Sequence, residues 1–421
     1  MRDTLYHEFL EIINDMPVID SHEHLVPEEI RLNEKNDFFT IALSHYASSD
    51  LVSSGLPMPA LAKLRDNSFP FGEKIDLFMP YWRNSSNTAY CRALSIAAAG
   101  LYGIMEITPE TLPELNKRLA EKNKPGLYKE ILQEKLHIKY CLWDQFWLEK
   151  PVKDDFFKVS LRLDNIVMIN SAADLTALEE KYNVNINSPD VLEQILETAI
   201  AQNKCSGLGA IKSALAYMRT LLFEPVSPAE AALSLEKISK NSFSQNDLKK
   251  LQDYLMFKVA EKAGSHKLPL QIHTGLFEGN GNNIQNADPS LLFHLIQANP
   301  DTAFDLFHGG YPYGGKLSAM AKMFPNVYLD MAWTHIISPS YSVRYLSEWL
   351  DTVPCNKIIG FGGDYIFVEG VYGHLQIARQ NIAETFSQKI SDGIYSKNES
   401  LRYAKMILHD NADELFNRQI W

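Results

Sequence analysis

Eight short apolar runs recur along this chain, separated by stretches long enough to hold a helix, and that alternation limits its folds more than any other feature. They are Met16–Ser21, Ile138–Trp143, Phe156–Leu161, Gly209–Lys212, Pro269–His273, Ala303–His308, Val327–Asp330 and Lys357–Phe361. Continuous apolar runs suit strands buried on both faces, as a parallel sheet under helical crossovers requires. Between them, Ser188-Pro189-Asp190 reads as an N-cap with proline at the first helical position, leading into Val191–Asn203. Ser244 opens an amphipathic helix to about Ala263 with Gly264 as its stop, and Asp288-Pro289 opens another that ends near Asn299-Pro300. Eight such repeats argue for a closed (β/α)8 barrel, the TIM barrel, over an open sheet.

One stretch does not fit a single crossover. Residues 25–135 are read as a mostly helical insertion after the first strand, within one barrel domain spanning 1–421. A loop leaving the end of a barrel strand lies over the C-terminal face, so this insertion is expected to cap the site there. The opening residues Met1–Glu8 alternate charged and apolar groups like an amphipathic helix and lack the apolar core of a signal peptide. No run of about eighteen apolar residues suggests a membrane span. Cys91, Cys141, Cys205 and Cys355 are scattered without a C-x-x-C pair, the pattern of buried thiols in a reducing, cytoplasmic setting. The formal net charge of −12, with no basic tract, sets nucleic acid aside as a partner. A small molecule is the expected partner, and self-association is left open.

Asp20-Ser21-His22-Glu23-His24 stands directly after the first strand. Residues two apart on extended backbone point the same way, so His22 and His24 can converge on one ion. With 12 histidines in 421 residues, chance alone supplies about one-third of a His-x-His. Position makes the pair informative. His273 ends the fifth run, His308 the sixth, and Asp364 follows the eighth, all places that face the same basin in a barrel. Nitrogen and oxygen donors without thiolate suit zinc, manganese or iron in an open site. Lys212, at the end of the fourth run, enters the same basin either as an ammonium that orients a carboxylate or, carbamylated, as an anionic bridge between two metals.

His22, His24, Lys212, His273, His308 and Asp364, in that strand order, resemble the ligand set of the amidohydrolase superfamily. Asn411-Ala412-Asp413-Glu414-Leu415-Phe416 is similar to the Asn-Ala-x-x-Leu-Phe ending of its amidohydrolase-related (type 2) branch. The resemblance covers about residue 16 to the end, apart from the insertion. It implies one or two divalent metals, zinc foremost, and a metal-activated water that attacks an electrophilic carbon while Asp364 takes its proton. In two-metal members the first pair and the aspartate hold one ion, the later histidines hold the other, and a carbamylated lysine bridges them. In single-metal members some of these groups become acid–base residues. The context of Lys212 resembles the two-metal pattern, whereas the tail resembles the one-metal branch.

Arg219 and Tyr217, just after Lys212, are candidates to hold a substrate carboxylate, with His335 beyond the seventh run and Arg83 or Arg92 from the insertion. The expected activity is hydrolysis of an amide or ester-like bond in a small carboxylate-bearing molecule. The alternatives are a uronate-type isomerase or a carboxy-lyase on the same barrel, and a barrel retained for binding alone.

Overall fold

The structure is a computed structural model that describes residues 2–145, 155–204 and 206–418, so Cys205 lies outside the described residues. Among the described residues eight strands pair in parallel, each with the next in sequence: β1 Val18–Glu23, β2 Ile138–Trp143, β3 Phe157–Arg162, β4 Leu208–Ser213, β5 Leu270–Ile272, β6 Phe304–Leu306, β7 Val327–Asp330 and β8 Ile358–Ile359. All eight expected runs are strands, two of them end for end and the rest shifted by a few residues at their ends. β1 and β8 meet through Ser21 N–H to Phe361 O at 3.1 Å, Asp364 N–H to His22 O at 2.8 Å and His24 N–H to Tyr365 O at 3.1 Å. The sheet is therefore a nearly closed TIM barrel.

Two apolar layers follow from the strand period of two. Val18, Ile211, Leu270, Leu306 and Leu329 pack outward under the helices. Ile19, Tyr140, Leu142, Ala210, Tyr328 and Ile359 form a separate inner cluster with Ala412, Leu415 and Phe416. The tail motif is thereby a stopper in the barrel. Asn411 Nδ2 donates to the carbonyls of Cys355 and Ile358, both at 2.7 Å, which fixes it there.

The chain between β1 and β2 carries helices Glu28–Asn33, Phe38–Ala42, Ala47–Ser53, Met58–Arg65, Phe71–Ser85, Ala89–Tyr102 and Leu112–Lys122. They dock on the start of helix Val368–Ser391 through a buried ion pair. Arg31 donates to both oxygens of Glu369, at 2.8 and 2.6 Å, and Tyr102 Oη donates to Glu369 at 2.6 Å. The N-terminal helix Arg2–Asn14 packs on the far end of Val368–Ser391, where Phe9 and Phe386 lie 5.7 Å apart between ring centres.

Gly264 does not stop its helix, which runs Gln245–Ser265. Left-handed backbone comes later, at Lys267, with φ of 55°. A Cβ on Gly264 would sit 2.6 Å from Thr302 Oγ1 and 3.0 Å from Asp301 O, so the glycine lets the helix approach the turn before β6. Cys91 and Cys141 are buried and Cys355 is partly so. Among the described residues no helix is long and apolar enough to cross a membrane.

Candidate metal centre

β1 ends at Glu23, and its extended backbone turns His22 and His24 to one side, as their spacing requires. Their Nε2 atoms lie 3.1 Å apart. Asp364, after β8, brings Oδ1 to 3.4 Å from His22 Nε2 and 3.3 Å from His24 Nε2. Donors about 2.1 Å from a tetrahedral zinc stand about 3.4 Å from one another, so these three atoms have the spacing of a shared ion. The ring of His24 is aimed by its Nδ1, which donates to Asp144 O at 3.1 Å. Asp364 takes left-handed backbone, φ 59°, and Gly363 beside it admits no side chain, since a Cβ would meet Glu23 Oε1 at 1.8 Å.

Buried carboxyls hold this turn. Asp20 Oδ1 accepts from Gly363 N–H at 2.9 Å and Glu23 Oε2 from Tyr365 N–H at 2.9 Å. Burial pushes Asp20 up to about 7 and raises Glu23 well above the usual carboxylate range, as expected of acids packed together away from water. On the other side His374 Nδ1 meets Gly363 O at 3.1 Å.

His273 and His308 make a second pair. His308 Nδ1 lies 3.0 Å from Ala332 O and His273 Nε2 lies 2.8 Å from Leu276 O. A ring nitrogen against a carbonyl must carry the hydrogen, which leaves His308 Nε2 and His273 Nδ1 as lone pairs, and these face each other at 2.9 Å. Burial lowers both imidazoles, His308 to about 4, so a proton does not bridge them near neutrality. Two opposed lone pairs call for a cation. His308 Nδ1 lies 4.0 Å from Asp364 Oδ2, which joins the two halves. Burial opposes ionisation of Asp364, but His24, His308, His45 and Lys212 around it outweigh that and hold its carboxyl below the ordinary value.

Lys212, the fifth residue of β4, is 2% exposed, and its Nζ has no hydrogen-bond partner among the described residues. It lies 3.7 Å from the centre of the Phe307 ring, and burial lowers it to about 8. An amine with a lowered pKa and no acceptor is chemically suited to carbamylation or to a second charged partner. The donor set thus fits one or two divalent ions.

A cavity of about 950 Å³ opens above these groups. It is lined by His22, His24, Lys212, His273, His308 and Asp364, and by Tyr217. Four of the expected substrate residues do not line it. Arg219 is turned away by helix Gln245–Ser265, where Asp253 Oδ1 accepts at 2.5 Å and Gln252 Oε1 at 3.0 Å. His335 is buried behind β8 with Nε2 2.8 Å from Gly360 O. The left-handed residue before it, Trp333 with φ 62°, opens a short helix and reverses the chain inward. Arg83 and Arg92 are solvent-exposed on the insertion, away from the cavity.

In their place the cavity takes in Asp144, Arg162, His45 and Glu278. Asp144 follows β2 and Arg162 ends β3, the same strand-end rule that singled out His273. Arg162 Nε donates to Asp144 Oδ2 at 3.1 Å. Asp144 also comes within 4.8 Å of donor atoms of His22 and His24, but it faces the Nδ1 edge of His24 and is tied to Arg162. Asp364 lies on the Nε2 side, nearer to both rings. His45 comes from the insertion, and its neighbour Tyr46 donates from Oη to Asp364 O at 2.7 Å.

Residues 241–418, which include β5 to β8, match the family model described as Amidohydrolase. Over 189 residues, 45% of this chain, the sequence is 28% identical to Protein fluG of Emericella nidulans; the match takes up 21% of that protein. Among solved structures, the uronate isomerase of Thermotoga maritima superposes with a TM-score of 0.79 at 16% identity, covering 98% of this chain and 97% of that one. The glucuronate isomerase of Caulobacter crescentus gives 0.80 at 15% identity over 99% and 94%. A protein of Lactobacillus casei named as a metal-dependent hydrolase gives 0.68 at 20% identity over 98% and 99%. The chain is a TIM barrel, and its residues 241–418 match the family model described as Amidohydrolase.

Proposed function

We propose that this chain is a metal-dependent hydrolase that cleaves an amide or ester-like bond in a small, carboxylate-bearing substrate. The observation that carries this reading is the pair of opposed lone pairs on His273 and His308, 2.9 Å apart beside the His22–His24–Asp364 trio, with the unpartnered Lys212 amine in the same cavity. A bound divalent ion supplies Lewis acidity toward water and toward the scissile carbonyl. Asp364, held ionised, accepts the proton of the attacking water and delivers it to the leaving group. Tyr217 reaches the same cavity from the loop after β4, and its phenol, kept protonated by burial, is a donor for a substrate oxygen. Arg162 offers a guanidinium that the substrate carboxylate can share with Asp144.

A second reading, isomerisation of a uronate, is favoured by the two isomerase structures that superpose over nearly the whole chain. Metal-loaded protein assayed against dipeptides, lactones and uronates in ¹⁸O-labelled water separates the two. Label in a product carboxylate supports hydrolysis, and aldose–ketose conversion without label supports isomerisation.

A further inference from the structure

The loop after β5 brings into the cavity a carboxylate that the metal cluster does not use. Glu278 lines the same cavity as His22, Lys212 and Asp364. Its backbone is fixed from two sides: its N–H donates to Tyr217 Oη at 2.9 Å, and its carbonyl accepts from Asn282 Nδ2 at 3.1 Å. Asn280 Nδ2 ties the loop to the insertion at Ser49 O, 3.2 Å away. Gly275 begins the loop in left-handed backbone, φ 81°, and a Cβ there would lie 2.5 Å from Tyr311 O, so the loop is seated on the turn after β6.

The Glu278 side chain, by contrast, accepts no hydrogen bond from any described residue. Arg65 acts on it only through space, since that guanidinium donates to Leu43 O at 2.8 Å and to Ser48 Oγ at 3.0 Å. Of the cavity's other cations, Arg162 binds Asp144, Lys212 is buried in the barrel, and Lys181 is exposed on helix Ala172–Tyr182 with its Nζ over the Tyr182 ring. Asp364 adds to the negative field. A half-buried carboxylate on a fixed loop, without a hydrogen-bonded counter-ion, is a receptor for a cation.

We propose that Glu278 is a specificity-determining residue whose carboxylate receives an ammonium group of the substrate. This inference rests on the reading of the cavity as the reaction site, and it narrows the substrate to one with a protonated amine near the reacting bond. Three isosteric probes isolate that contact: alaninamide carries an ammonium, lactamide a hydroxyl and isobutyramide a methyl. Binding to zinc-reconstituted protein is measured calorimetrically at pH 7, and ammonia release is followed in parallel. Alaninamide is expected to bind about tenfold tighter than the other two, as one charge-assisted contact confers. Glu278→Gln, which still accepts a hydrogen bond but carries no charge, should abolish that preference and leave lactamide affinity unchanged. Equal binding of the three, no binding of any, or a preference that survives Glu278→Gln overturns the proposal. The preference without ammonia release counts against amide hydrolysis and not against Glu278. Ammonia release without the preference counts against Glu278 alone.

Discussion

Tyr46 donates its phenolic hydrogen to the main-chain carbonyl of Asp364 at 2.7 Å, while its ring stacks on Trp333 at 4.5 Å between centres. A residue of the insertion thus holds the backbone of the carboxylate that completes the candidate metal trio. Tyr46→Phe keeps the stacking and removes the donor. The expected loss is about 1–3 kcal/mol in chemical denaturation, the usual cost of a buried acceptor left without its partner. A fall in kcat larger than the fall in stability explains would show that the bond also orients Asp364.

His22→Ala and His24→Ala should each lose bound metal. Removal of a partner beyond the ligands typically costs 10–100-fold in metal affinity or activity, so loss of a ligand should exceed about a hundredfold. Metal analysis of the purified variants checks this. Full metal content with full activity in both would defeat the assignment of the centre.

Lys212→Ala reports on the number of ions. If the lysine bridges two, the wild-type metal-to-protein ratio is near two, falls in the variant and is restored by short carboxylates such as acetate. A ratio near one that the substitution leaves unchanged identifies a single-ion site, with the Lys212 ammonium facing substrate.

Glu369→Gln leaves Arg31 buried without its counter-charge and is expected to destabilise the protein by about 3–5 kcal/mol. Burial alone would raise Glu369, yet Arg31 and Tyr102 hold its carboxyl below the ordinary value. The sign follows: the contribution is full above the unfolded carboxylate pKa, about 4.3, and is lost as pH falls through the lower folded value. Unfolding free energies of wild type and Glu369→Gln should therefore converge on acidification below about pH 4.

The barrel was legible because a strand buried on both faces must be apolar throughout, and Ile138–Trp143 and Val327–Asp330 match their strands end for end. The grouping of the candidate metal residues around one cavity was legible for a related reason: a polar group closing an apolar run points into the common basin. Asp144 and Arg162 obey the same rule and went unread because an acid or an arginine at a strand end is also ordinary surface chemistry. The fate of Arg219 and His335 was not legible locally. Arg219 is decided by Asp253, 34 residues later and on another helix, and His335 by the left-handed turn at Trp333. Nor does any local pattern announce Glu278, whose direction is set by Tyr217 and by Gly275 lying against Tyr311.

The seam between β1 and β8 has a temporal consequence. His22 and His24 leave the ribosome well before Asp364, yet the amide that pairs with His22 O and the carboxylate that completes their trio both belong to that residue, 342 positions after His22. Contacts so distant in sequence form only when the intervening chain has been laid down and collapsed. Assembly of the candidate metal trio and sealing of the barrel are thus one event, and uptake of metal by a growing chain, if the trio binds it, would serve as a clock for the completion of its fold.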